Sequence, residues 1–144
     1  MSSTTNLYTR EVLALATSLS QWPHDPGLPL QGAVRSQTCG SAVTLGLAVG
    51  EAGAITGIGL KAQACAIGQA SAALFAAQAI GHDENSLRTA LREIRTWLNK
   101  GGDLPAWPGF ATIAAARDYP ARHGAITLAW QAALEALSSA PKPG

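Results

Sequence analysis

The sequence holds two thiols, the side chains best suited to metal and sulfur chemistry together. Cys39 lies in "RSQTCGSAV" and Cys65 in "KAQACAIGQASAALFA". Each falls where one element gives way to another, whereas a filler cysteine could sit anywhere along an apolar face. Cys65 falls at the expected start of a helix, where unpaired backbone N–H groups and the helix dipole favour the thiolate. Cys39 precedes Gly40, and a glycine there lets the backbone turn sharply beside whatever the sulfur contacts. Numbered 39 and 65, the two lie 26 positions apart, which is no zinc-finger or zinc-ribbon spacing. The bland alternative for either thiol is a small, inert, buried filler.

A hairpin between the cysteines makes a shared site feasible. In "AVTLGLAVG", Val43, Leu45, Leu47 and Val49 alternate with smaller residues, the pattern of a strand buried on one face. "GEAG" supplies a short hairpin loop and "AITGIGLKA" a returning strand, with Ile58 and Leu60 in step. Ile55 is out of phase with them, so Gly57 is expected to mark a bulge. Strands running out and back return the chain to the edge it left, carrying both cysteines to one end of a sheet.

The surrounding elements read mainly as helices. Val12, Leu15, Ala16 and Leu19 form an apolar stripe on a helix from about Tyr8 to Ser20, stopped by the proline-rich "QWPHDPGLPL". A weak extended segment is expected over Ala33 to Thr38. Helices follow from Cys65 to about Gly81 and over "DENSLRTALREIRTWLNKGG", where Leu87, Leu91, Ile94 and Leu98 share a face. A short helix is expected at about Phe110 to Ala116. The last helix runs from about Pro120 to Leu137, with Ile126, Trp130, Ala133, Leu134 and Leu137 on one face. The order points to an α+β fold, with helices packed on a small antiparallel sheet of about three strands.

At 144 residues the chain is expected to form one domain, spanning 1–144, with a core over about 7–137 and a frayed tail at 138–144. Net charge is +1 and only 13% of residues are charged, with no basic run, so nucleic acid is not the expected partner. The longest apolar stretch, Ala62 to Ile80, is broken by glutamines and a serine and reads as a core helix, not a membrane span. The first residues lack the layout of a secretory signal, and the expected compartment is the cytoplasm, where thiols stay reduced. Arg88, Arg92 and Arg95, at helical spacing, read as a solvated face, with a docking surface as the alternative. Trp97, Trp107 and Trp130 are expected in the core. His24 and His82 read as solvated loop residues. Lys61 either helps to hold a thiolate at Cys65 or caps the sheet edge.

Three segments in order, "TCGSAVTLGLAV", "GLKAQACAIGQASAALFA" and "DYPARHGAITLAWQAALEAL", resemble the signature segments of the NifU-like (IscU/SufU-type) iron–sulfur cluster scaffold family. The resemblance runs from about Leu7 to Leu137 and implies a SufE/IscU-like fold. It also implies a non-enzymatic role, sulfur transfer excepted: a site that takes iron and sulfur, or a transient iron–sulfur cluster, and passes it to acceptor proteins. Two positions depart from the family pattern. Ser41 stands where the family has the aspartate of its Cys-Gly-Asp, and Gly124 where it has a third cysteine. The implied ligand set is then Cys39, Cys65 and His123, with Ser41 or water in fourth place. Cys39 is the implied sulfur acceptor if the chain instead relays persulfide sulfur, with zinc as the metal. The implied partners are a cysteine desulfurase and apo iron–sulfur proteins, and a homodimer pooling cysteines from two chains stays open. A third reading, from a different class, is an interaction module that carries no metal.

Overall fold

The computed structural model describes residues 7–37 and 40–139. Its elements follow one another as helix α1 (Arg10–Ser18) with a 3-10 turn (Leu19–Gln21), then strands β1 (Leu30–Arg35), β2 (Ala42–Val49) and β3 (Ile55–Gln63). Helices α2 (Ala66–Gln78) and α3 (Glu84–Lys100) come next, then a 3-10 segment (Phe110–Asp118) and helices α4 (Pro120–Ile126) and α5 (Leu128–Ser138). The strands form one antiparallel sheet in the order β1-β2-β3, so the expected α+β architecture is the one observed. No described helix is long and apolar enough to cross a membrane.

The hairpin carries the expected irregularity. Ala48 pairs with Gly57 but Val49 pairs with Ile55, so Thr56 is the extra residue, immediately before the glycine. The bulge returns Ile55 to the buried face, where it is 1% exposed. β1 begins and ends three residues earlier than expected, at Leu30–Arg35 instead of Ala33–Thr38. Its inward positions are Leu30 and Gly32, and a glycine at an inward position hides the alternation on which the assignment depends.

Helix ends follow local chemistry. Thr9 caps α1 by accepting from the Val12 N–H at 3.1 Å. Asp83 and Ser86 make a reciprocal capping box at the start of α3. The expected long last helix is two helices broken at Thr127. The cause is tertiary: the Ser71 hydroxyl of α2 donates to the Ile126 carbonyl at 2.7 Å, and helical bonding resumes with Gln131 N–H to Thr127 carbonyl at 3.1 Å. α2 stops at Gln78, three residues short of Gly81.

The sheet, α2, α3 and α5 enclose one hydrophobic cluster. At its centre Phe75, Trp107, Phe110 and Trp130 pack ring on ring. Phe75 stacks on Trp107 with centroids 5.6 Å apart, and Trp130 meets Phe75 edge-on at 5.3 Å. Trp107 also donates its indole N–H to the Leu74 carbonyl at 2.8 Å, satisfying its polar atom inside the core. All three expected core tryptophans are buried.

Candidate sulfur and metal site

The sheet register defines one edge of the molecule. Arg35, Ala42 and Gln63 are the last paired residues of their strands at the end opposite the Gly50–Gly53 loop. The turn between β1 and β2 and the junction between β3 and α2 therefore leave from the same edge. The turn is closed by its own backbone, with Ser36 N–H donating to the Ser41 carbonyl at 2.7 Å and Gly40 N–H to the Ser36 carbonyl at 3.2 Å. Gly40 adopts φ of 73°, the left-handed conformation that a glycine accepts without strain. Cys39 lies outside the described residues. Ser41 is buried at 6% exposure, immediately before β2.

Cys65 occupies the N-cap of α2 with extended backbone angles, and its carbonyl accepts from Gln69 N–H at 2.9 Å. Its thiol is free and half-buried, and its side chain caps nothing. No acidic residue sits in the first turn of α2, so no carboxylate competes for the N–H groups there. Gln69 folds back to donate to the Ala64 carbonyl at 3.1 Å, bracing the turn on which the thiol stands.

His123 comes from α4, and α4 is locked to the same end of α2. Gly68, one turn beyond Cys65, permits the approach: an added Cβ would lie 2.6 Å from the Ala64 Cβ and 3.1 Å from that of Ala125. The Ser71–Ile126 bond seals the joint one turn further on. The ring orientation of His123 is set by a 2.7 Å bond from Nε2 to the Arg117 carbonyl. A carbonyl only accepts, so Nε2 carries a proton, and in the neutral ring Nδ1 is the nitrogen with the lone pair. That is how a metal-binding histidine is commonly braced, one nitrogen to a backbone carbonyl and the other free to ligate. Arg117 is itself held, its Nε donating to the Trp97 carbonyl at 3.0 Å. Residue type at position 117 carries no sign of this role, because the acceptor is a backbone atom.

Among the described residues no three His, Cys, Asp or Glu side chains are grouped to hold a metal ion. The described candidate donors, the Cys65 thiol and the His123 imidazole, stand on α2 and α4, helices joined through Gly68 and Ser71. Lys61, on β3 opposite Thr44, is exposed and lines a hollow of about 450 Å³ with His24 and Gln69. His24 bonds Gln31 across the loop at 2.9 Å. His82 is no solvated loop residue: it is half-buried, stacks on Trp107 at 4.5 Å, and bonds Ser86 Oγ through Nδ1 at 2.9 Å. Burial holds its pKa below the usual histidine value, with the charge of Asp83 acting in the opposite sense.

Residues 21–138 match the family described as "NifU-like N terminal domain". The chain belongs to that family. The crystal structure of a nitrogen-fixing NifU-like protein (N-terminal) from Brucella abortus is similar over 95% of this chain and 96% of its own. Its TM-score is 0.85 and its identity 27%. A putative iron–sulfur cluster assembly scaffold protein for the SUF system from Fervidobacterium islandicum AW-1 shares the fold at TM-score 0.77, with 19% identity over 92% and 97% of the two chains. A hypothetical protein solved at 2.3 Å resolution shares it at TM-score 0.66, with 21% identity over 88% and 96%. No curated protein matches. The match takes in all three strands and helices α2 to α5 of the chain.

Proposed function

We propose that this NifU-like domain is an iron–sulfur assembly scaffold with a reduced ligand set. The observation that carries the reading is the register Arg35–Ala42–Gln63, which starts the Gly40–Ser41 turn and the Cys65 turn from one sheet edge. In this reading Cys39, one residue before Gly40, joins Cys65 as a thiolate donor, and the free Nδ1 of His123 is the third. Ser41 or water takes fourth place. Iron and sulfide, or a transient cluster, are the cargo, and the site releases them to apo iron–sulfur proteins. A cysteine desulfurase supplies the sulfur. The identity of the Fervidobacterium neighbour supports the reading at the level of fold. Ligand poverty suits release, because four strong ligands would hold a cluster fast.

The donor count also favours a second reading. Two thiolates and one imidazole make three strong ligands, the number at which zinc keeps its fourth position open. In a relay, the Cys39 thiolate attacks the outer sulfur of the desulfurase persulfide. A new S–S bond forms on Cys39, the donor's S–S bond breaks, and the desulfurase cysteine leaves as thiolate, with no net oxidation.

The test is iron, zinc and acid-labile sulfide content after anaerobic reconstitution of the native chain, Cys39→Ala, Cys65→Ala and Gly124→Cys. A scaffold loses iron and sulfide with either alanine, and Gly124→Cys converts partial loading to stoichiometric loading. A relay retains zinc alone, and persulfide transfer fails with Cys39→Ala far more than with Cys65→Ala. A native chain that takes up neither metal rejects both readings and leaves a metal-free interaction module.

A further inference from the structure

α3 buries Leu87, Leu91, Ile94, Trp97 and Leu98 and turns its cations outward. Between α3 and α5 runs an open groove of about 350 Å³, lined by Arg88, Arg92, Arg95 and Lys100 with Leu91 and Leu134 as its apolar part. Four of the chain's 10 Lys and Arg residues thus line one groove, on a molecule whose net charge is only +1. No carboxylate lines it. Arg88 is held by Glu84 at 2.9 Å, while Arg92, Arg95 and Lys100 are exposed and have no carboxylate partner among the described residues. Glu93, the other acid of α3, is turned away, accepting from the Ala106 N–H at 3.0 Å.

We propose that this groove docks an acidic, amphipathic helical segment of a partner protein. Charge complementarity selects the occupant. Positions 88, 92 and 95 recur at spacings of four and three, so they follow one face of α3. A helix laid alongside would meet them with carboxylates at the same spacing. The guanidinium fork matches a carboxylate in two-point geometry, and the leucines offer the apolar side of such a helix a place to rest. A nucleic acid fits less well: three unpaired cations neutralise few phosphates, and a sugar–phosphate backbone has no use for the leucines. The surface is separate from the Cys65 edge and needs no metal, so its test stands apart from that of the scaffold reading.

The experiment uses fluorescence anisotropy with the full metal-free chain. The probe is a labelled helical peptide of about 14 residues, about 20 Å long, with Glu on one face and Leu on the other. The control probe replaces every Glu with Gln. At about 50 mM NaCl the native chain binds the Glu peptide, and raising salt to about 300 mM weakens that binding because charge pairs are screened. Arg92→Glu with Arg95→Glu weakens it by about tenfold and removes most of the salt dependence. Arg92→Gln with Arg95→Gln, the milder change, weakens it less and in the same direction. Reversing two exposed arginines elsewhere, Arg10→Glu with Arg35→Glu, changes it by less than about twofold. Equal binding of the Gln peptide, no binding by the native chain at low salt, or no loss in the Arg92/Arg95 variants overturns the proposal. Full displacement of the peptide by inorganic tripolyphosphate also overturns it, in favour of a simple anion site.

Discussion

The two ends of α2 are built in opposite ways. Its start, at Cys65, is held by backbone hydrogen bonds and by contacts between small residues: Gly68 against Ala125, Gln69 back to Ala64, Ser71 to the Ile126 carbonyl. Its later turns carry Leu74 and Phe75 into the aromatic cluster with Trp107 and Trp130. In the proposed function one end orients the donor side chains. The other supplies cohesion and no chemistry. Under the proposed function, that division lets donors change at one end of α2 without disturbing the packing at the other.

The largest expected effect tests that division directly. Trp107→Ala removes a buried ring from three aromatic contacts, and with it the indole N–H that donates to the Leu74 carbonyl, at a cost of about 3–5 kcal/mol. For a chain of this size that lowers Tm by on the order of 10 °C. Cys65→Ala removes one half-buried sulfur and costs less than about 1 kcal/mol, while abolishing cargo retention. Calorimetry on the two variants reads both numbers. Equal losses would mean that the thiol is part of the core, and the separation of roles would fail.

Legibility in the sequence followed the same division. The hairpin was readable because Val43, Leu45 and Leu47 alternate, and the out-of-phase Ile55 even located the bulge beside Gly57. Cys65 at a helix start was readable because the strand period ends and a helical one begins there. β1 was misplaced because Gly32 occupies an inward position that patterning expects a larger residue to fill. The break at Thr127 was invisible, since its cause is a hydroxyl 55 positions earlier in the chain. The brace on His123 was equally hidden, because it is made by a carbonyl that any residue at 117 would provide. What sequence period encodes was recovered. What long-range backbone hydrogen bonds impose was not.

A middle-sized effect is expected where the two ends meet. Ser71 is 1% exposed and its hydroxyl donates to Ile126 at the α4–α5 break. Ser71→Ala leaves that carbonyl without its partner and costs about 1–3 kcal/mol in urea unfolding. If the cost falls near zero, α4 and α5 have fused into one helix that reclaims the carbonyl. His123 should then shift relative to Cys65, which a fall in cargo affinity without a fall in stability would reveal.

The smallest effect belongs to pH and falls at the aromatic end. Burial against Trp107 lowers the pKa of His82 in the folded state, so the unfolded chain takes up that proton more readily. A group whose folded pKa is depressed contributes stability that is full above its unfolded value, about 6.5 for histidine, and is lost as pH falls through the folded value. The Asp83 carboxyl is also held below its usual pKa, chiefly by the Ser86 N–H, but its contribution is lost only in a far more acidic range. Below about pH 6.5, and above the range in which Asp83 titrates, His82 and not Asp83 sets this part of the slope. Urea midpoints for the native chain should fall across that window, and His82→Gln, which cannot take up the proton, should flatten the fall. An unchanged slope in His82→Gln would place the acid sensitivity elsewhere and remove the aromatic end from the pH response.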